Sequence, residues 1–175
     1  MKKLDVELVR SLLNYDQETG IFTWRVTRSG SAHVGDVAGH LTPFGYIHMR
    51  IAGYRVYAHR LAWFYVYGEW PKDEIDHIDQ DKAHNAISNL READNSQNHA
   101  NVSMYANNSS GIKGVRKYWK RFRATIGVKG TIIHLGTFDT PEEARTAYIN
   151  AAKKHFGEFA KTNQTVGCSN ESASR

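Results

Sequence analysis

Cysteine is nearly absent from this 175-residue sequence, and proline and long apolar runs are scarce. The single cysteine, Cys168, cannot form an internal disulfide or build a cysteine-based zinc site, which excludes disulfide scaffolds and zinc ribbons. No zinc site is expected, and any metal would be bound through oxygens and histidine nitrogens. No apolar run approaches the roughly 20 residues of a membrane span, and residues 1–10 lack the apolar core of a signal peptide. We therefore expect a soluble protein with no membrane partner.

The residues that are present favour a folded chain with an uneven charge distribution. Hydrophobic residues make up 41% of the sequence and aromatic residues 11%, which is enough for a core. The net charge of +5 is small, but it is +3 over residues 1–60, −5 over residues 61–107 and +7 over residues 108–175. An acidic centre between basic flanks suits a nucleic-acid protein that gathers carboxylates around a cation, although many neutral enzymes are equally uneven.

The first part of the chain predicts a mixed α/β region. Leu4, Leu8 and Leu12 are four residues apart, which predicts a short amphipathic helix that ends before Asp16. An apolar stretch over 59–67 predicts a buried helix. Alternating apolar side chains predict strands over 21–26, 46–51 and 54–57.

The last third of the sequence predicts a second domain. Residues 102–111 are polar and without apolar period, which is typical of a linker. Three short strands then precede a helix that starts with a capping box, in which Thr140 is the cap, Pro141 the first helical residue and Glu143 the third. This pattern predicts a three-stranded antiparallel sheet packed on one helix, and the whole chain is α+β. The predicted domains are 1–107 and 108–163, with a disordered tail over 164–175.

Side chains suited to chemistry are concentrated in the central segment. Asp76 and His77 end a short apolar run, Asn89 follows twelve residues after His77, and Asn98 comes nine residues later. Carboxylate and amide oxygens suit Mg²⁺, and an imidazole can accept a proton near neutral pH. If a hairpin presents Asp76 and His77 and the next helix presents Asn98, the two oxygens would converge on one ion that also takes a phosphate oxygen.

The same segment resembles a known nuclease family. The residues that carry the resemblance are His59-Arg-Leu-Ala-Trp63, Asp76-His-Ile-Asp79, Asn85, Asn89-Leu-Arg91, Asn98 and Asn101. They are similar to the HNH homing endonucleases encoded by phages and their introns, over roughly residues 5–102, with the motif core at about 56–102. The resemblance implies a ββα-metal core. It also implies that the catalytic residues are His77 as general base and Asn89 as the asparagine that ties the hairpin together, and that the metal ligands are Asp76 and Asn98.

Three further residues near the motif have roles that the sequence leaves open. His59 is more consistent with a structural residue near the site than with a ligand. Asp79 either braces the turn after His77 or supports the site from behind the metal ligands. His84 stands where the family more often has Asp or Asn, and we expect its side chain to be solvated.

The C-terminal segment resembles a second family. The run LGTFDTPEEARTAY at 135–148, with Gly114-Val-Arg116 and Phe122-Arg-Ala-Thr-Ile126, is similar to AP2/ERF DNA-binding domains over about 111–163. That resemblance implies a sheet that lies in the major groove. Residues 111–130 hold seven basic residues and no acidic one, which agrees with a DNA surface, although a merely solvated face is the alternative. The predicted DNA-binding residues are Arg116, Lys117, Trp119, Arg121, Arg123 and Lys129.

Together the two resemblances predict a metal-dependent HNH endonuclease that hydrolyses phosphodiester bonds in double-stranded DNA and is targeted by an AP2-like domain. Mg²⁺ is the expected cofactor, with Mn²⁺ as the alternative. The second hypothesis is a DNA-binding regulator with a non-catalytic HNH scaffold, and the third an RNA-directed nuclease, which a groove-reading sheet suits less well. We expect a monomer, which would nick one strand of the duplex. The alternative is a dimer, which could cut both strands. The phage resemblance implies the cytoplasm of a bacterial host.

Overall fold

The structure is a computed structural model that describes residues 4–28, 32–94, 97–98 and 110–160. It divides the chain into two compact units, Met1–Asp94 and Asn95–Arg175. Helices and strands both contribute, which confirms a mixed α and β protein. The predicted domain boundary near residue 108 and the predicted tail over 164–175 lie outside the described residues and stay predictions. None of the described helices combines the length and apolar character of a membrane span.

The first unit begins with a helix and a two-stranded sheet. Helix α1 (Val6–Leu12) starts at Asp5, whose Oδ1 accepts a hydrogen bond from the Leu8 backbone N–H at 2.7 Å. Strand β1 (Leu13–Tyr15) then pairs antiparallel with β2 (Phe22–Trp24). The helix ends before Asp16, as predicted, but already at Leu12. Leu13 and Tyr15 are buried and Asn14 between them is exposed, which is the period of a strand.

A second sheet of the first unit has the order β3-β4-β5. Its strands are β3 (His40–Leu41), β4 (Ile47–Ile51) and β5 (Tyr54–Tyr57). The turn between β4 and β5 consists of Ala52 and Gly53, both with positive φ, as tight two-residue hairpins require. Met49 and Ile51 are buried in the core of the unit, so His48 and Arg50, which alternate with them, lie on the opposite face.

Helix α2 and a hairpin complete the first unit. Helix α2 (Ala58–Tyr67) ends at Gly68 in the left-handed conformation and buries Leu61, Ala62 and Phe64. Strand β6 (Glu74–His77) pairs antiparallel with β7 (Leu90–Ala93), and a short 3₁₀ helix (Ile87–Asn89) leads into β7. The ββα helix predicted to follow falls on residues of which only 97–98 are described, and these two are helical.

The second unit is a sheet covered by one helix. The sheet has the order β10-β9-β8, with β8 (Val115–Tyr118), β9 (Arg121–Val128) and β10 (Thr131–Phe138) antiparallel. Helix α3 (Pro141–Phe156) starts with the predicted capping box, in which Thr140 and Glu143 bond reciprocally, and a 3₁₀ helix (Gly157–Phe159) follows it. The residues that α3 buries are Ala144, Tyr148, Ala152 and Phe156.

Candidate active site and candidate DNA surface

The hairpin of β6 and β7 carries the central acidic and imidazole side chains. Asp76 lies opposite Arg91 across the hairpin, and His77 lies opposite Leu90. Both Asp76 and His77 are only 5% exposed. An ionisable group that is removed from water requires compensating partners, so the contacts of these two side chains decide what they can do.

Asp76 is held by an arginine on the neighbouring strand. The Nε and Nη2 atoms of Arg91 both donate to Oδ2 of Asp76, at 3.0 and 2.9 Å. The side chain of Arg91 is 15% exposed, so this is a largely buried, charge-assisted ion pair. The pair fixes the orientation of the carboxylate. An ion that bound there would share the carboxylate with Arg91.

His77 faces the side-chain amide of Asn85. The Nε2 atom of His77 and the Oδ1 atom of Asn85 are 3.2 Å apart, and Nδ2 of Asn85 donates to the Ala83 carbonyl at 2.7 Å. Since that second bond fixes the amide with its oxygen toward the ring, and a carbonyl oxygen only accepts, Nε2 carries the proton of the neutral imidazole. The basic lone pair is therefore on Nδ1. Burial lowers the pKa of His77 against the opposing effects of Asn85 and of Asp79, Asp76 and Asp81.

Asn85 is itself anchored to the β1–β2 hairpin. Its side chain is among the largest that are fully buried, and its backbone oxygen accepts a 2.7 Å hydrogen bond from the hydroxyl of Tyr15. Gly20, with φ of 75°, lies against the same backbone, where an added Cβ would be 2.2 Å from the carbonyl carbon of Asn85. Only glycine permits that approach. The N-terminal hairpin therefore positions the residue that orients His77.

Asn89 organises the turn that follows His77. Its Nδ2 donates to Oδ1 of Asp79 at 2.9 Å and to the His84 carbonyl at 2.8 Å, and its Oδ1 accepts from the Asp79 backbone N–H at 3.1 Å. Oδ2 of Asp79 is 2.6 Å from Nδ1 of His84. Burial alone would raise the pKa of Asp79, but hydrogen bonds from His84 and Asn89 hold it below its usual value. Asp79 thus braces the turn, and His84, though partly solvated, is bonded to it.

His59 is a second buried imidazole beside His77. The two ring centroids are 5.2 Å apart in an edge-to-face arrangement, and His59 is 7% exposed. Among the described residues, its Nδ1 atom has no hydrogen-bond partner. Burial, followed by the proximity of His77 and Arg60, lowers the pKa of His59 to about 3, so this ring is neutral at pH 7.

The side chains that could bind a divalent ion lie partly outside the residues that the structure describes. In the described stretches of the chain, no group of three or more His, Cys, Asp or Glu side chains is placed to hold a metal. Mg²⁺ commonly uses one or two protein carboxylates together with waters and substrate phosphates, so the buried carboxylate of Asp76 fits it without such a group. Asn98 is a helical residue of the second unit, and its pairing with Asp76 stays a prediction.

The predicted DNA-binding residues of the second unit divide by position on the sheet. Arg116 lies directly opposite Arg123, and Tyr118 opposite Arg121, on the face turned away from α3. Lys117 alternates with them and is opposite Phe122, which packs toward the helix. The two that lie in turns are Trp119, which is 87% exposed, and Lys129, both with positive φ.

Two of the outward arginines already have a partner within the second unit. The guanidinium carbon of Arg123 is 3.7 Å from the centroid of the Tyr118 ring, which places the cation over the aromatic face. Arg121 is 2.7 Å from Asp139 in an exposed ion pair. The structure therefore brings Arg116, Arg121 and Arg123 together on one face and leaves Lys117, Trp119 and Lys129 outside it.

The sequence did not predict which residues hold the site together. Arg91 and Asn85 belong to the motif, but the sequence assigned no role to either of them or to Tyr15. The signal for Arg91 was its position in a strand that pairs with the Asp76 strand. For Tyr15 and Asn85, which are 70 residues apart, the sequence offered no signal, because their contact depends on tertiary packing.

The sequence that forms this hairpin and the asparagine-braced turn is similar to a known family. Residues 56–100 match the family model described as HNH endonuclease. That segment includes His59, Asp76, His77, Asn85, Asn89 and Asn98. The predicted resemblance to HNH endonucleases is thereby confirmed for this part of the chain.

A curated viral protein has a similar description. The chain is 38% identical, over 99 residues, to a protein of Acanthamoeba polyphaga mimivirus described as an uncharacterized HNH endonuclease. The matched region covers 55% of this chain and 51% of the relative, so the chain spans about half the length of the curated relative it matches. No solved structure matched the chain. The AP2/ERF resemblance of the second unit stays a prediction.

Proposed function

We propose that this protein is a metal-dependent endonuclease that hydrolyses phosphodiester bonds in double-stranded DNA. The observation that carries the proposal is the orientation of His77. Its Nε2 faces the carbonyl oxygen of Asn85 at 3.2 Å, next to the ion-paired Asp76, within a segment that matches HNH endonucleases. The hydrogen bond to Asn85 leaves Nδ1 as the basic nitrogen, which is what a general base requires.

His77 acts as the general base in this proposal. Because burial lowers its pKa, the ring is neutral near pH 7 and can accept a proton. Nδ1 takes the proton of a water whose oxygen attacks the scissile phosphorus, while Nε2 keeps its proton and donates it in a hydrogen bond to Oδ1 of Asn85. Such proton transfer contributes roughly 10²- to 10⁴-fold to the rate.

Asp76, with Asn98 as the second ligand, would hold the divalent ion. When bound, Mg²⁺ supplies positive charge that neutralises the phosphate oxygens and the leaving 3′ oxygen. Arg91 keeps the carboxylate of Asp76 in one orientation before substrate arrives. Asn89, through its bonds to Asp79 and His84, keeps the turn after His77 closed.

The second unit targets the enzyme to DNA in this proposal. Its outward face presents Arg116, Arg121 and Arg123, and these groups suit phosphate and guanine edges. Metal and base act on a backbone common to all sequences, so specificity must come from such a surface. The same proposal includes five further points. They are a homing-type role, an AP2-like mode of DNA binding, a phage source, a location in the bacterial cytoplasm and a monomer that nicks one strand.

Cleavage of supercoiled plasmid tests the proposal directly. Purified full chain, its His77→Ala variant and a matched exposed variant, His155→Ala, are each incubated with plasmid and Mg²⁺, with and without chelator. We expect nicked or linear product from the parent chain and from His155→Ala, none from His77→Ala, and equal DNA binding by all three. Retained cleavage by His77→Ala would remove it from the role of base.

The same experiment separates the other two hypotheses. A parent chain that binds duplex DNA but yields no product with Mg²⁺ or Mn²⁺ would identify a DNA-binding regulator on an HNH scaffold. Product from an RNA substrate, with intact plasmid, would identify an RNA-directed nuclease.

A further inference from the structure

The outer face of the β3-β4-β5 sheet carries a concentration of basic and aromatic side chains that the active site does not use. Its members alternate with core residues such as Met49, Ile51 and Val56, which pack inward. We call it the outer sheet face, and its residues are His40, His48, Arg50, Arg55 and Tyr57. Together with Arg28, four of them line a shallow cavity of about 600 Å³.

Like charges on the outer sheet face lower the stability of the folded protein. Arg50 lies directly opposite Arg55 on the paired strands, and like charges in that position destabilise a sheet. Arg28 adds a third cation, because its Nη1 donates to the backbone oxygen of Arg50 at 2.8 Å. Within the described parts of the chain, none of these three arginines makes an ion pair. A partner with negative charge would offset the repulsion.

A continuous row of rings connects this face with the proposed base. The ring centroids of His40 and His48 are 5.5 Å apart, those of His48 and Tyr57 5.5 Å, and those of Tyr57 and His59 5.6 Å. His59 is then 5.2 Å from His77. The row places the outer sheet face beside His77, so a polymer whose reacting phosphate lies at His77 can extend over the exposed Tyr57 to the arginines without leaving the first unit.

We propose that the outer sheet face binds the sugar-phosphate backbone of duplex DNA next to the bond that is cut. The proposal rests on the proposed function, since it takes the scissile phosphate to lie at His77. The planar guanidinium forks of Arg50 and Arg55 suit phosphate oxygens. Such contacts carry little sequence information, so this face positions the substrate and leaves sequence reading to other surfaces.

The variant Arg55→Glu tests the proposal without endangering the fold. It places a carboxylate opposite Arg50, which replaces repulsion by attraction, so the melting temperature should stay equal to the parent's or rise. Binding to DNA should weaken at least tenfold at low salt. Each phosphate contact contributes about 0.9 to the slope of log affinity against log salt, so the slope should fall by about one.

The measurement is fluorescence anisotropy of a labelled mixed-sequence duplex with the full chain in chelator, over a range of KCl concentrations. Arg25→Glu is the matched control, because Arg25 is an exposed arginine of the same unit whose Nη1 donates to the backbone oxygen of Arg10 instead. We expect this control to change neither the salt slope nor the affinity beyond the common effect of net charge.

Three results would overturn the proposal. One is an Arg55→Glu variant with the parent's affinity and salt slope. Another is an equal loss in Arg25→Glu, which would reduce the effect to net charge. The third is a loss confined to an RNA duplex of the same sequence. If the parent chain fails to cleave plasmid while Arg55→Glu still weakens duplex binding, the nuclease function is refuted and the outer sheet face remains a DNA surface.

Discussion

The two units of the protein each contain an arginine–aspartate pair, and the pairs differ in burial rather than in length. Arg91 and Asp76 are 2.9 Å apart with side chains 15% and 6% exposed. Arg121 and Asp139 are 2.7 Å apart with side chains 51% and 79% exposed. By distance alone, the attraction between the charges of the second pair would be the stronger one. Burial reverses this order, because water and salt screen the charges of the exposed pair much more than those of the buried pair.

The same contrast extends to the surroundings of each pair. In the first unit, His77, Asn85 and Asn89 near Asp76 are buried, and their side chains are hydrogen-bonded, as His77 with Asn85 illustrates. In the second unit, the arginines of the sheet are turned outward. A closed polar network holds reacting groups in one geometry, whereas an outward basic face is suited to a partner.

The largest effect should come from removing the buried carboxylate. Asp76→Ala removes the carboxylate to which two nitrogens of the largely buried Arg91 donate, so we expect a loss of about 3 kcal/mol in the free energy of unfolding. Metal-dependent cleavage should disappear as well. Urea unfolding and plasmid cleavage measure the two losses. Asp139→Ala, which breaks the exposed pair, is the control and should cost less than about 1 kcal/mol. Equal costs for the two variants would refute the contrast.

The next effect concerns the orientation of His77. Asn85→Ala removes the acceptor that fixes the proton on Nε2, so we expect kcat to fall by about 10- to 100-fold with little change in KM. Asn85→Asp keeps an acceptor at the same place and should retain more activity than the alanine variant. Both are compared below their melting temperatures, since Asn85 is fully buried. A variant pair with equal losses, or a change in KM alone, would assign Asn85 a structural role only.

A smaller effect is expected at the sheet of the second unit. Arg116→Ala removes a cation that lies opposite Arg123, so the fold should not suffer while duplex binding weakens by about tenfold, and kcat at saturating DNA should stay unchanged. Lys153→Ala on α3, which covers the other face of the sheet, is the matched control. If Arg116→Ala lowers kcat but not affinity, the two units do not divide binding and chemistry in this way.

Much of the fold was predictable because local patterns and tertiary packing agree. Thr140 and Glu143 predicted the start of α3, and the alternation in 46–51 predicted β4. The end of α1 was not predictable from leucine spacing. Leu13 continues the apolar pattern equally well in a helix or in a strand, and only pairing with Trp24 on β2 decides between them.

For the candidate site, the sequence predicted Asp76, His77 and the turn-bracing Asn89, but not the contacts that orient the first two. Asp76 and His77 are adjacent in sequence, so a motif suffices to find them. The supports come from hairpin register, which pairs Asp76 with Arg91, and from the packing of Tyr15 on the Asn85 backbone. Neither the register nor this contact is contained in any short stretch of sequence, which is why the resemblance supplied ligands and base without the residues that orient them.

The last prediction concerns the pH dependence that the buried His59 gives to the first unit. Its pKa in the folded protein is about 3, below the ordinary value of 6.5, so the unfolded chain binds the proton first as the pH falls. The contribution of His59 to stability is complete above pH 6.5 and is lost progressively between 6.5 and 3. Below pH 6 we expect the loss to be about 1 kcal/mol per pH unit, measured by urea unfolding at several pH values.

Replacing the ring isolates this contribution. In His59→Phe the side chain cannot titrate, and a buried nitrogen that lacks a partner among the described residues is removed, so the variant should be at least as stable as the parent at pH 5. Its stability should fall less steeply than the parent's between pH 6 and 4, by the amount that His59 contributed. The same substitution at exposed His155 is the matched control. If stability falls as steeply with pH in His59→Phe as in the parent, other groups cause the acid sensitivity and the burial of His59 does not.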